Sequence, residues 1–509
     1  MQLTSVGLIA ALAAPAVGVD AAVPEVVSAA RSGDRAQLET LLAAGADPNA
    51  PQRDGATALH WAAHRRDLDS AGDLLDAGAD PNAANELGAT PLWVAAENGD
   101  ATMIGRLLEA GADPEAKLRM GETPLMVAAR SGDREAVALL VAAGADINAA
   151  ENARGQTALM WAAAQRHADV VSLLADFGAD IHARTKVRTQ LENTAGNTNP
   201  TGNFRMAHGG STALIFAARN GDVEVAKRLL AAGADPDDAN ASGTSALVLT
   251  AHSGHSPLAL HLIEAGANPD AANAGYTAMH AAILRSQVEV VRALLEKGAD
   301  PDLPVTRGTP GRRFSIDYNI RHQEIGANAF WLAAKFGELE IVRLLAKAGA
   351  DPTAIPSTGA TSLQAAVGNP LMPQEDRRHR ILEPTEVEEE ERRSAEIIRI
   401  LLALGIDPNT PDAQGNTALH DAVKKDFPSI VELLAANGAN LEATNAQNQT
   451  PLALAETRLA LVGANGLSAE RPRIAALLRS LGAAEPTENS EPTSDWPTAP
   501  STDKPKERD

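Results

Sequence analysis

The stretch Asp54–Ala84, DGATALHWAAHRRDLDSAGDLLDAGADPNAA, decides the fold because it recurs along almost the whole chain. Neighbouring copies are Asn85–Ala116 and Lys117–Ala150. The glycine of the G-A-D turn returns after 32 to 34 residues in seven of eleven intervals, and the other four intervals are 44 to 56 residues long. A period near 33 residues is typical of a turn followed by two helices. The long intervals therefore indicate the same unit with an insertion.

Each unit carries its own helix signals. A threonine such as Thr90 precedes a short apolar run and suits a helix N-cap, and Pro91 suits the first helical position. Gly99, nine residues after the cap, can end that helix in a left-handed conformation. Arg66 and Arg166 hold this position in two units, which predicts mild local strain. Helices this short are not stable alone, so the units must stack and share one core.

These residues resemble the ankyrin repeat family. Its T-P-L-H-x-A-A core is present as TALHWAA at Thr57–Ala63 and as TPLWVAA at Thr90–Ala96. Its G-A-D-x-N-A turn is present at Gly45–Ala50 and Gly78–Ala83. The resemblance covers about residues 24–483. It implies an all-α, ankyrin-type helix-turn-helix solenoid with hairpin fingers, about eleven to twelve repeats and a capping unit at each end. For function it implies a protein-binding scaffold.

Composition limits the classes of partner. The formal net charge of −22 argues against nucleic acid, which demands a basic surface. Part of this charge is the repeated turn aspartate, which would solvate a long surface. The alternative is an acidic face that selects a basic partner. Because the chain has no cysteine, disulfides, thiol catalysis and Cys-ligated metal sites are excluded.

The N-terminus has the features of a signal peptide. Its apolar run from Val6 to Val17 is followed by Val19-Asp20-Ala21, which has small residues at the two positions that a signal peptidase reads. We expect residues 1–21 to be removed and the protein to be periplasmic or secreted, similar to exported bacterial ankyrin-repeat proteins. The run lacks a preceding Lys or Arg, so a cytoplasmic protein with an apolar cap is the alternative. With Pro15 inside it, the run is too short to span a membrane.

Four insertions interrupt the period, near residues 185–210, 303–325, 368–393 and 457–472. The first is rich in Asn, Thr and Gly and is predicted to be a loop that extends a finger. The third is predicted to separate the two helices of one unit. It should lengthen the second helix to Glu386–Leu404, with Thr385 and Glu388 as a capping box. Residues 484–509 are expected to form a disordered tail.

The second insertion and two tryptophans are the candidate partner-binding residues. The insertion concentrates cations and aromatic rings in an acidic chain, and we assign partner binding there to Arg312, Arg313, Phe314, Tyr318 and Arg321. The alternative is that its rings pack on the solenoid while its arginines pair with turn aspartates. Trp61 and Trp161 follow the T-x-L-H position, where an apolar residue usually packs between units. Since they are larger than such packing needs, we predict that they reach the concave first-helix face.

The chain contains no motif of a common enzyme class: P-loop, H-E-x-x-H, G-x-S-x-G and G-x-G-x-x-G are all missing from it. His60, His280 and His420 occupy the T-x-L-H position and are expected to hydrogen-bond neighbouring turns. His252 and His255 are three residues apart, but they flank Gly254 and lack an obvious third ligand. We therefore expect neither metal, nor cofactor, nor catalysis.

Together these patterns predict a monomeric, non-catalytic scaffold that recognises another protein. Its surface would comprise the inserted loops, the concave helix face and the finger tips near Gly55, Gly88, Gly121 and Gly155. An alternative is a small-ligand-binding protein or an accessory subunit of an enzyme. A further alternative is a hydrolase built in the inserted loops.

Overall fold

The computed structural model describes residues 23–193, 203–309, 320–368, 383–457, 459–460, 468–469 and 471–485. These residues form two compact units, the first comprising the described residues up to 299 and the second the described residues from 300 onward. The expected signal peptide and the expected disordered tail, apart from its first two residues, lie outside the described residues.

The first unit consists of eight helix pairs and one β-hairpin. Its elements in chain order are α1 (Glu25–Ser32), α2 (Arg35–Ala43), α3 (Ala58–Arg65), α4 (Leu68–Asp76), α5 (Pro91–Asn98), α6 (Ala101–Glu109), α7 (Pro124–Ser131), α8 (Arg134–Ala142), α9 (Ala158–Gln165), α10 (Ala168–Asp176), β1 (Arg188–Asn193), β2 (Asn203–His208), α11 (Ala213–Asn220), α12 (Val223–Ala231), α13 (Ala246–Ser253), α14 (Ser256–Glu264), α15 (Ala278–Leu284) and α16 (Val288–Glu296).

The second unit contains four helix pairs among its described residues. After a 3-10 turn at His322–Glu324, its elements are α17 (Ala329–Phe336), α18 (Leu339–Ala348), α19 (Ser362–Val367), α20 (Pro384–Ala403), α21 (Ala418–Lys425), α22 (Pro428–Ala436), α23 (Pro451–Glu456), β3 (Leu459–Ala460), β4 (Ser468–Ala469) and α24 (Pro472–Ser480). The predicted all-α repeat architecture is confirmed. The described residues hold twelve helix pairs, within the predicted range.

The helices of each pair begin and end at the residues that the repeat predicts. The Thr90 hydroxyl caps α5, Pro91 opens it, and Gly99 ends it at a φ of 62°. Asp100 then caps α6, where its carboxylate accepts the backbone N–H of Met103 at 3.1 Å. The same order of a threonine cap, a left-handed residue and an aspartate cap recurs in α7 and α8. Local chemistry therefore fixes both the ends and the turn of each helix pair.

Within each unit the first helices pack on first helices and the second helices pack on second helices. The alanine pairs of the first helices, such as Ala62 and Ala63, are fully buried, as is Leu74 of the second helix α4. Small side chains let neighbouring helices approach, and the leucines fill the space between the layers. One core thus runs through the stack of each unit.

The G-A-D-x-N turns add a polar link between neighbouring repeats. The Asn82 amide donates to the carbonyl of Gly111 at 3.0 Å, and its oxygen accepts the Asp113 N–H at 2.7 Å. Asn49 and Asn409 make the same two contacts with their following turns. In these three repeats the asparagine of the motif therefore links its turn to the next one.

The two arginines at the glycine position do adopt left-handed backbones, with φ of 58° at Arg66 and 68° at Arg166. Each is held by a reciprocal contact. Arg166 donates to the carbonyl of Asn220 at 2.8 Å, and the Asn220 amide donates to the carbonyl of Ala164 at 2.8 Å. Arg66 and Asn98 form the equivalent pair between α3 and α5. This clasp offsets part of the backbone strain.

The first insertion departs from the loop prediction. Strands β1 and β2 pair antiparallel, with Arg188 opposite His208 and Asn193 opposite Asn203. At the neck, Thr185 N–H donates to the carbonyl of Ser211 at 3.1 Å, and Gly210 N–H donates to the carbonyl of Thr185 at 3.0 Å. The finger is already a hairpin, so its strands continue outward. The Asn and Gly content of the insertion did not indicate strands, because their pairing is set by the hydrogen bonds at the neck.

The third insertion does separate the two helices of one unit, but the predicted capping box is wrong. Helix α20 begins at Pro384 and ends at Ala403. Its cap is Glu383, whose N–H donates to the Glu386 carboxylate at 2.8 Å. Proline is favoured at the first helical position, which moves the start ahead of Thr385. Residues 369–382 lie outside the described part of the chain.

None of the helices in the described ranges combines the length and the apolarity that a membrane span requires.

Candidate protein-binding surface

The fingers of the first unit form a row that is joined by backbone hydrogen bonds. Each finger is a tight turn, closed for example by the Asn85 N–H donating to the carbonyl of Ala89 at 3.0 Å. Neighbouring tips are linked once per repeat. Arg119 N–H donates to the carbonyl of Leu87 at 3.1 Å, and Asn152 N–H donates to that of Met120 at 2.8 Å. The fingers therefore form a hydrogen-bonded row that holds the exposed side chains of neighbouring tips next to one another.

Two neighbouring finger tips expose large apolar side chains. Leu87 is 41% exposed and Met120 is 53% exposed. Both stand three positions before the capping threonine of their unit, where Asp54 stands in the preceding unit and Arg154 in the following one. The hydrogen bond from the residue before Met120 to the Leu87 carbonyl brings these tips side by side. The sequence analysis missed this pair, although aligning the repeats at their threonines would have revealed it.

The same tips carry arginines. Arg53, Arg119 and Arg154 are exposed, and among the described residues their guanidinium groups have no ion pair. The carboxylates nearby are largely committed to the backbone. Asp54 accepts the Ala56 N–H at 3.0 Å. Buried Glu151 accepts three backbone N–H groups of its own finger. Although the chain is acidic as a whole, this row exposes three guanidinium groups that form no ion pair with a described carboxylate.

The two predicted tryptophans lie on the first helices but expose little surface, 7% for Trp61 and 9% for Trp161. The Trp61 indole N–H donates to Gln52 Oε1 at 3.1 Å, and the guanidinium of Arg31 lies 6.0 Å from its ring centre. Arg130 lies 5.2 Å from the ring centre of Trp161. In both cases a cation of the preceding repeat covers the ring. A partner could touch only their edges.

A buried charge pair lies beside Trp161 on the first-helix face. Arg130 and Glu97 meet at 2.9 Å, and the Glu97 side chain is almost fully buried. Burial raises the pKa of Glu97, and the neighbouring Arg130 counteracts this only in part. Burial likewise raises the pKa of Glu122, against the influence of the same arginine. Since Arg130 faces two carboxylates and an indole ring, it is a structural cation of this face.

The second insertion starts from a fixed base in the second unit. Thr309 N–H donates to the carbonyl of Ile320 at 2.9 Å, and Ile320 N–H donates to the Thr309 hydroxyl at 2.9 Å. Val305, Thr309 and Ile320 are buried. Four predicted binding residues, Arg312, Arg313, Phe314 and Tyr318, lie outside the described residues. The structure therefore describes the anchor of this insertion and leaves their role a prediction.

Arg321, the remaining predicted residue, lies at the start of the 3-10 turn, where its N–H donates to Glu324 Oε2 at 2.9 Å. The Glu324 side chain is buried and forms an ion pair with Lys335 of α17. The Lys335 ammonium group also lies 5.6 Å from the ring centre of Trp331. This cluster ties the base of the second insertion to the first helix of its repeat.

A second buried polar cluster lies on α21, where Asp421 holds the position that Trp61 and Trp161 occupy in their own repeats. Lys424 Nζ is 3.3 Å from the Asp421 carboxylate and donates to Asn416 Oδ1 at 2.8 Å. Burial raises the pKa of Asp421 to about 6, and Lys424 opposes this only in part. The sequence alone did not single out this cluster.

His60 and His420 of the T-x-L-H motif make the expected links to neighbouring turns. His60 Nδ1 accepts the Thr57 N–H at 3.1 Å, and its Nε2 is 2.9 Å from the carbonyl of Ala89 in the next finger. His420 repeats this arrangement with Thr417 and Gln449. His255 Nε2 lies 3.1 Å from the carbonyl of Arg219. Within the described ranges, no group of three or more His, Cys, Asp or Glu side chains is placed to hold a metal.

Paired short helices, left-handed turn residues and linked fingers define a helical repeat solenoid. The family described as ankyrin repeats (3 copies) matches residues 26–118, 111–185 and 201–304, which is more than half of the chain. Ankyrin repeats (many copies) matches residues 401–455, and a single ankyrin repeat matches residues 326–355. The chain belongs to the ankyrin repeat family. Repeats of this family generally mediate protein–protein interaction.

Similarity to individual proteins is partial. Protein fem-1 homolog A of Rattus norvegicus is 36% identical over 66 residues, which are 13% of this chain and 10% of that protein. The B-cell lymphoma 3 protein homolog of Mus musculus is 28% identical over 185 residues, which are 36% of this chain and 33% of that protein. The chain thus spans between a tenth and a third of the length of these relatives.

Proposed function

We propose that the protein is a non-catalytic, monomeric scaffold that recognises a partner protein through its finger tips, its first-helix face and its inserted loops. The observation that carries this proposal is the anchored second insertion. Buried Val305, Thr309 and Ile320 fix both ends of a segment that contains two arginines, a phenylalanine and a tyrosine. A long segment that leaves a rigid scaffold at a fixed base is a common form of recognition loop.

The experiment is a capture of partners with the full chain and with a loop variant. In the variant, residues 310–319 are replaced by Asn-Gly, which closes antiparallel strands tightly. Thr309 and Ile320 remain, so the buried base is kept. A control variant changes the exposed Arg134, Arg228 and Lys297 of the second-helix layer, which lies outside the proposed surface, to Ala. We expect one protein to be retained by the parent and by the control, and lost from the loop variant.

Equal retention by all three proteins would refute the role of the second insertion. Retention of no protein, together with a rise in melting temperature on adding small metabolites, would favour the ligand-binding alternative. Circular dichroism of each variant checks that the helices remain.

We also propose that the protein is exported. The apolar run between Val6 and Val17 supports this, as does the cleavage-site pattern of Val19-Asp20-Ala21. Expression of the chain with its own N-terminus, followed by N-terminal sequencing, should give a mature protein that starts at Ala22. A protein that keeps residues 1–21 and stays in the cytoplasm would overturn the proposal.

A further inference from the structure

We propose that the finger row of the first unit binds an acidic protein segment in which apolar residues recur every third position. The fingertip strip is defined as Arg53, Leu87, Arg119, Met120 and Arg154. This inference rests on the proposed scaffold function, and it assigns the chemistry of the partner.

The charge of the strip selects an anionic partner. Its three guanidinium groups are exposed and have no ion pair within the described residues. Glu86 is an exposed carboxylate beside Leu87, but Asp54 and Glu151 are engaged by backbone N–H groups. Guanidinium groups bind carboxylates through paired N–H donors. The strip therefore attracts carboxylates even though the net charge of the chain is −22.

The apolar side chains argue for a protein rather than a nucleic acid. Leu87 and Met120 lie between the arginines and are 41% and 53% exposed. Flexible aliphatic chains adapt to apolar side chains of a partner. Single-stranded nucleic acids instead stack their bases on aromatic rings. The strip contains no such ring.

The spacing of the fingers sets the period of the segment. Each finger contributes two antiparallel chain stretches, and hydrogen-bonded strands lie about 4.8 Å apart. Successive tips, each bonded to the next, therefore repeat at roughly 10 Å. An extended chain advances about 3.3 Å per residue, so every third residue meets a new finger. Carboxylates would then face Arg53, Arg119 and Arg154, and apolar residues would face Leu87 and Met120.

The binding test uses the full chain and a fluorescent peptide of repeated Glu-Glu-Leu triplets. A peptide of the same composition with its leucines grouped together tests the period. A Lys-Lys-Leu peptide and a single-stranded oligothymidine test the charge and the class of partner. We expect the Glu-Glu-Leu peptide to bind at least about tenfold more tightly than the other three probes, and less tightly as salt is raised.

The decisive variant changes Arg53, Arg119 and Arg154 to Glu. These side chains are exposed, and the finger bonds use backbone atoms, so the fold should persist. The matched control changes Arg134, Arg228 and Lys297 of the second-helix layer to Glu, which alters the net charge equally. We expect the strip variant to lose about tenfold or more in affinity and the control to lose little.

Equal losses in the two variants, or preferred binding of the Lys-Lys-Leu peptide, would overturn the inference. Preferred binding of oligothymidine would point to nucleic acid and would also overturn it. If the parent and the strip variant capture the natural partner equally well, the scaffold function is supported, but the fingertip strip is not the surface that binds this partner. If the peptide binds the strip but no protein is captured, the inference about the strip holds and the proposed scaffold function is not supported.

Discussion

His60 Nε2 lies 2.9 Å from the carbonyl oxygen of Ala89, across the boundary between two repeats. Because His60 Nδ1 accepts the Thr57 N–H, Nε2 carries the proton and donates to Ala89. One neutral imidazole thus caps its own helix and holds the neighbouring finger. Burial lowers the pKa of His60, which keeps the ring in this neutral form.

Replacing His60 by Ala should destabilise the first unit. The change removes two backbone contacts and leaves a cavity beside α3, at a cost of about 2–4 kcal/mol. Urea unfolding followed by circular dichroism measures the effect. His182→Ala is the matched control, because the His182 side chain is exposed on a turn. Equal midpoints for both variants would show that the link contributes no stability.

Replacing Arg166 should separate backbone strain from the clasp. Arg166→Ala keeps a side chain at a φ of 68° and removes the bond to the Asn220 carbonyl. Arg166→Gly also removes the bond but relieves the strain, which is worth roughly 1 kcal/mol. We expect the Gly variant to be more stable than the Ala variant by about that amount in thermal unfolding. If the two are indistinguishable, the left-handed backbone is not strained.

Asp421→Asn should stabilise the second unit at neutral pH. The carboxyl has a folded pKa near 6 against an unfolded value near 3.8, so the folded protein binds the proton more tightly. The buried carboxylate therefore destabilises the folded protein most above pH 6, and this destabilisation decreases as the pH falls towards 4. One pKa unit corresponds to about 1.4 kcal/mol, so the gain on substitution is at most roughly 3 kcal/mol.

The measurement is chemical unfolding of parent and variant between pH 4 and pH 8. The difference between them should be largest at pH 8 and should shrink towards pH 4. Asp169→Asn, at an exposed first-turn aspartate of α10, is the control. A variant that is less stable than the parent at pH 8 would show that the ion pair with Lys424 outweighs the burial of Asp421.

Thr309→Val should loosen the base of the second insertion without unfolding its unit. The substitution keeps the shape but removes the hydroxyl that accepts the Ile320 N–H. Losing one buried hydrogen bond costs about 1 kcal/mol, so amide exchange at Ile320 should speed up several-fold. Thr309→Ser keeps the hydroxyl and should restore protection. Unchanged exchange in the Val variant would mean that other contacts hold the base.

Much of the fold follows from the sequence because each structural role has its own residue at a fixed spacing. The threonine cap, the left-handed glycine and the turn asparagine act within one repeat or on the next. The strands of the first insertion were missed, since their pairing starts at the Thr185–Ser211 neck and local composition does not show it. At α20, the predicted capping box of Thr385 and Glu388 was wrong because Pro384, which is favoured at the first helical position, places the cap at Glu383.

The candidate surface was less predictable. Trp61 and Trp161 were expected to be more exposed, but Arg31 and Arg130 of the preceding repeats cover their rings. Whether such rings are covered depends on side-chain conformations across a repeat boundary. Leu87 and Met120 were overlooked because a single apolar residue in a finger carries no motif. Aligning the repeats at their capping threonines places them at equivalent positions, and the hydrogen bond between neighbouring tips shows that they lie side by side.

The closed neck of the first insertion has a consequence for the evolution of the sequence. The Thr185 N–H donates to the Ser211 carbonyl, and the Thr185 hydroxyl accepts the Ser211 N–H, so the base of the finger is closed independently of the sequence that it carries. We therefore expect substitutions, insertions and deletions above that point to leave the helices of the repeat unchanged. The neck is therefore a site at which one inserted segment can be exchanged for another, in evolution or by protein engineering, while the repeat scaffold stays the same.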